Sequence, residues 1–138
     1  MENQKKVLLV EKDNAIWHFV RNILKKELYD LDFADDAKYA LTKIQNNTTD
    51  LILFDCDSLG VNMSEFISLI KNSTDNMPGI IALTNNINDD VNNYVQPAVD
   101  DLIAKPLNST ELQYRINRVF DRRNMIDLLN KDRADSEA

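Results

Sequence analysis

The sequence predicts an α/β fold, a doubly wound parallel sheet of five strands, each followed by a helix. Three observations carry the prediction. Apolar runs of four to six residues recur along the 138-residue chain, too short for buried helices and continuous enough for strands covered on both faces. Segments with apolar residues at three- and four-residue spacing separate them, as amphipathic helices would. Parallel strands need crossover connections, and those helical segments supply them.

The elements follow in order. "VLLV" (7–10) reads as the first strand, and Ile16, Phe19, Val20, Ile23, Leu24 and Leu28 mark the first helix. "LDFA" (31–34) is a second strand, and Ala37, Ala40, Leu41 and Ile44 mark the second helix. "LILF" (51–54) precedes a helix with Phe66, Ile67 and Ile70 inward, and "GIIALT" (79–84) follows Pro78. "DDVNNYV" (89–95) predicts a short polar fourth helix, and "DLIA" (101–104) the last strand. Asn108 with Glu111 three residues on reads as a capping box opening a fifth helix, with Leu112, Ile116 and Val119 inward. With only two glycines in the chain, Asn and Asp must make the turns.

Composition narrows the classes of function. The net charge of −7 is poor footing for direct nucleic-acid binding. No apolar run approaches the roughly 20 residues that span a bilayer, and "MENQKK" leads into a strand without a secretory signal, so neither a membrane nor export is expected. The single cysteine, Cys56, excludes an internal disulfide and suits a cytoplasmic location. It reads as a small buried residue, His18 as exposed, and Trp17 as a cover over apolar surface.

In a doubly wound sheet, sites form beyond the C-terminal ends of the strands. Glu11, Lys12 and Asp13 follow the first strand, Asp55 and Asp57 the third, Thr84 the fourth and Lys105 the fifth. Carboxylates, a hydroxyl and an ammonium at one sheet edge suit a phosphoryl group held on an aspartate. Two kinds of protein carry such a set. One is a phosphatase with Asp55 as nucleophile and Asp57 as general acid, and the other a signalling domain that only stores the phosphoryl group. "FDCDS" resembles the first motif of haloacid-dehalogenase-type phosphatases. In that family the nucleophile ends the first strand and a threonine stands four residues on; here two strands precede Asp55, and Leu59 holds that place.

"VLLVEKDNAI", "DLILFDCDSLG", "PGIIALT" and "VDDLIAKPL" together resemble a receiver domain of bacterial two-component response regulators, from about Lys6 to about Arg123. The resemblance implies a flavodoxin-like, CheY-like (βα)5 fold with strand order 2-1-3-4-5. It also implies a receiver domain over 1–123, with a helical extension and polar, disordered tail over 124–138. It makes Asp55 the phospho-acceptor for a histidine kinase, Thr84 the switch hydroxyl and Lys105 the counter-charge, before a cis Pro106. Such a domain signals without turning over a substrate. The acidic pocket is Glu11, Asp13 and Asp57, and the implied Mg²⁺ set is Asp55, Cys56, Asp57, Asp13 and Glu11. Lys12 replaces a metal-ligating carboxylate, so Mg²⁺ binding is expected to be weakened. The Lys12 ammonium is expected to sit within salt-bridge reach of Asp55. Leu102 stands where an aromatic residue usually follows the switch. Asp100, Asp101, Glu111, Arg115 and Arg118 match the face through which one branch dimerises, formed by helix four, strand five and helix five. The output domain of such a protein is not in these residues. The alternative is a degenerate receiver that works as a phosphorylation-independent interaction module.

Overall fold

Alternation along each buried strand sends successive side chains into two separate cores. In the computed structural model, which describes residues 4–57, 63–85 and 99–137, the strands are β1 (Lys5–Val10), β2 (Tyr29–Ala34), β3 (Leu51–Asp55), β4 (Gly79–Thr84) and β5 (Asp101–Ala104). They form one parallel sheet in the order β2-β1-β3-β4-β5, as the resemblance implied. Val7, Leu9, Leu51, Leu53, Ile81 and Leu83 face one side, and Leu8, Val10, Ile52, Phe54, Ile80 and Ala82 face the other. Helices α2 (Ala37–Asn46) and α3 (Met63–Ser73) cover the second side. The first is covered by α1 (Asn14–Ile23) and the C-terminal helix (Ser109–Glu137). Each fully buried Leu or Ile contributes roughly 1.5–3 kcal/mol, so the three central strands dominate the stability.

Local chemistry sets the helix ends. Asp13 and Asp36 cap α1 and α2 by accepting the backbone N–H groups of Ala15 and Tyr39. Asn108 accepts the N–H of Glu111 at 3.0 Å, which realises one half of the expected capping box. The first helix is shorter than its apolar spacing suggested. It stops at Ile23, because β2 must begin at Tyr29 opposite Lys5 and the chain turns through Lys25–Leu28 to reach it. Leu28 therefore lies off the helix and is 56% exposed. The fourth helix expected over 89–95 lies outside the described residues.

The C-terminal helix meets the sheet closely. A Cβ at Gly79 would stand 3.0 Å from Val119 and 3.3 Å from Leu51, so glycine is what lets the helix settle over the start of β4. Arg123 then donates to the carbonyl of Met77 and lies 3.7 Å from Asp100. Beyond it, Met125, Ile126, Leu128 and Leu129 are exposed. The helix runs on to Glu137 where a disordered polar tail was expected. No glycine or proline follows Pro106 to stop it. Among the described residues no helix is long and apolar enough to cross a membrane.

The part of this helix packed on the sheet and the part beyond it should respond differently to truncation. Ile116→Ala, at a fully buried site, should lower the unfolding free energy by about 2–5 kcal/mol in a urea titration. Leu128→Ala should change it by no more than about 0.5 kcal/mol.

Candidate functional site

The site begins where β3 runs one residue past the end of β1. Val10 ends β1 opposite Phe54, and β3 continues to Asp55, which pairs with Leu83 of β4. Asp55 thus stands at the crevice where the chain order reverses between β1 and β3. It is 1% exposed, a position that an ionised carboxylate occupies only with strong partners.

Lys105 is the main partner. It follows β5, its N–H is held by the carbonyl of Thr84, and the bond to Pro106 is cis as expected. Its Nζ lies 2.8 Å from Asp55 Oδ2, while Asp55 Oδ1 accepts the N–H of Asp57 at 2.9 Å. Burial pushes the Asp55 pKa up. Hydrogen bonds with Glu11, Lys105 and the Asp57 N–H, together with the charge on Lys105, outweigh it and hold the carboxyl below the usual range. Burial pulls the Lys105 ammonium down, and its bonds to Asp55 and Asp57 raise it above its ordinary value. Glu11 is fully buried beside Asp55 and accepts the N–H of Asp13 at 3.0 Å.

A second group of contacts surrounds Asp57. Its Oδ1 accepts the buried Thr84 hydroxyl at 3.0 Å. Its Oδ2 accepts the backbone N–H of Asn85 and lies 3.2 Å from Lys105 Nζ. The structure therefore joins Glu11, Asp55, Asp57, Thr84 and Lys105. Asp13 and Lys12 lie outside that network. The Asp13 carboxylate is spent on capping α1. Lys12 is exposed and forms no ion pair among the described residues, which corrects the expected Lys12–Asp55 bridge. Lys105 enters on the last strand and already supplies that charge, so burying a second ammonium would cost hydration without an unmet partner.

Cys56 packs beside the core and its thiol is pushed up to about 12, by burial first and then by the charges of Asp57 and Asp55. The residue is only partly buried where the sequence suggested a small buried one, and the raised value keeps it a protonated thiol. Trp17 packs edge-on against Phe33, covering apolar surface, and His18 is exposed.

The carboxylates do not fit the implied Mg²⁺ site as they are arranged. Among the described residues no three Asp, Glu, His or Cys side chains converge as a metal-holding group. Asp13 is turned to its helix, Asp57 to Thr84, and Glu11 to Asp55 and Asp13.

On the expected dimer face, Arg115 lies 2.8 Å from Asp101 and 3.4 Å from Glu111 within the chain. Asp100 accepts the N–H of Ile80 at 2.8 Å, and Arg118 is exposed. Two participants were not legible in the sequence. The Asn85 N–H carries no residue signature, and Arg123 clamps the helix from beyond the residues singled out.

The family model of the response regulator receiver domain matches residues 7–117. Response regulator ArlR of Staphylococcus saprophyticus is 32% identical over 126 residues, covering 89% of this chain and 57% of that protein. The chain spans about half the length of the curated relatives it matches first. Among solved structures, a CheY-like response regulator receiver domain protein from Methanospirillum hungatei aligns with a TM-score of 0.78 at 27% identity, covering 88% of this chain and 98% of that one. The receiver domain of the sensor histidine kinase PA1611 from Pseudomonas aeruginosa aligns with a TM-score of 0.71, also at 27% identity, covering 83% and 96%; it holds a magnesium ion in its active site cleft. Strand order and matches agree: this chain belongs to the response regulator receiver domain family.

Proposed function

We propose that Asp55 accepts a phosphoryl group from the phosphohistidine of a partner histidine kinase and that the change is read at the face of β5 and the C-terminal helix. One observation carries this reading. The Asp55 carboxylate is kept ionised at the mouth of the β1–β3 crevice, 2.8 Å from an ammonium. An ionised carboxylate is the nucleophile the reaction needs. An Asp55 oxygen attacks phosphorus, the phosphorus–nitrogen bond breaks, and its electron pair returns to the imidazole. An acyl phosphate forms on Asp55, and Lys105 balances its added charge.

The orientation of the other carboxylates favours a second reading, in which the domain is an interaction module independent of phosphorylation. With Asp13 and Asp57 turned to protein partners, metal assistance is weak in this reading. Lys12 adds a positive charge at the rim, not inside the pocket. On the proposed output face, Asp101, Glu111 and Arg115 form an ion-pair set that a second copy could exchange. Partly exposed pairs of this kind set orientation more than affinity.

Intact-mass analysis after incubation with phosphoramidate and Mg²⁺ should show the gain of one phosphoryl group, absent in Asp55→Asn. No gain in the wild type leaves the interaction-module reading. Sedimentation of the phosphorylated protein should show a weak dimer that Arg115→Glu abolishes, and a dimer indifferent to that change would place the interface elsewhere.

A further inference from the structure

A carboxylate that gathers three donors from distant parts of the chain is more than a turn residue. Asp57 takes the Thr84 hydroxyl on one oxygen, and the Asn85 N–H and the Lys105 ammonium on the other. These donors stand at the ends of β4 and β5. Thr84 is 1% exposed, so its hydroxyl is aimed inward at this carboxylate. A hydroxyl, a backbone N–H and an ammonium converging on two oxygens form an oxyanion-binding arrangement, in which charge-assisted hydrogen bonds are strong. Lys105 also holds Asp55, so the Asp57 carboxylate lies next to the acceptor oxygen on the side of the shared ammonium.

We propose that Thr84, Asn85 and Lys105 form an anion subsite whose occupant in the unphosphorylated domain is the protein's own Asp57 carboxylate, and that a phosphoryl group on Asp55 must expel it. The proposal rests on the reading of Asp55 as phospho-acceptor and adds a positioning residue to it. Before phosphorylation, Asp57 holds Thr84 where a phosphoryl oxygen would otherwise hold it. During phosphorylation it opposes the incoming group twice, by filling the donors and by repelling a like charge across a few ångströms. Its side chain is 29% exposed, which gives it a way out toward solvent. Asp57 is thereby an internal competitor that slows phosphorylation and also presets the switch.

Two substitutions separate occupancy from net charge. Asp57→Asn removes the charge and keeps an acceptor for Thr84 and Asn85, whereas Asp57→Ala removes both. With phosphoramidate as donor and intact mass as readout, Asp57→Ala should be phosphorylated at least about tenfold faster than wild type, with Asp57→Asn between, as losing charge-assisted bonds from the starting state implies. Equal acceleration in the two variants would reduce the effect to charge and overturn the subsite, as would no acceleration in either.

A second readout needs no phosphorylation. In Asp57→Ala, the amide resonance of Asn85 should shift on titration with inorganic phosphate, while in wild type it should stay in place. If no form gains a phosphoryl group, the reading of Asp55 falls and this titration alone decides. An Asn85 amide indifferent to phosphate in both proteins would overturn the subsite.

Discussion

A carboxylate buried at the end of a central strand has to be neutralised, and the Asp55–Lys105 pair is how this fold does it. Removing an ionised carboxylate from water costs several kcal/mol even after the surroundings relax, so Asp55 remains ionised only because its partners are fixed in place. The sheet fixes them. β3 is one residue longer than the paired part of β1, which carries Asp55 past the edge. Pairing of Thr84 with Ala104 and the Lys105 N–H bond to the Thr84 carbonyl set the base of the lysine. From that base its ammonium reaches Asp55 and Asp57 together.

The pair also sets limits of pH. Folding lowers the Asp55 pKa below the ordinary 3.8, so its stabilisation is present above that value and fades as pH falls through the folded-state value. Folding raises the Lys105 pKa above 10.5, so its contribution is complete below that value and is lost as pH rises through the folded one. Between these limits the site keeps both charges.

Most of the fold was legible because apolar run length and periodicity report burial directly. "LILF" and "GIIALT" had to be central strands, and each is buried throughout. Leu28 misled because spacing alone does not show where a helix must stop to bring the next strand into register. The polar end of the C-terminal helix misled in the opposite sense, since polarity excludes a core but not a helix. In the site, Asp55, Thr84 and Lys105 followed from strand-end positions, which backbone pairing dictates. Lys12 did not, because a residue just past a strand can point inward or outward, and the choice depends on whether another cation already occupies the pocket. The carboxylate of Asp57 was likewise placed in a metal set by the resemblance, whereas its three donors come from the ends of two other strands.

Titration of the Asp55 side-chain carboxyl by ¹³C NMR in wild type, Lys12→Met and Lys105→Met tests the assignment of the neutralising cation most directly. Asp55 should titrate below the ordinary carboxylate range in wild type and in Lys12→Met. In Lys105→Met its pKa should rise well above that range, since burial then acts without its main counterweight. A rise in Lys12→Met with no change in Lys105→Met would contradict the account.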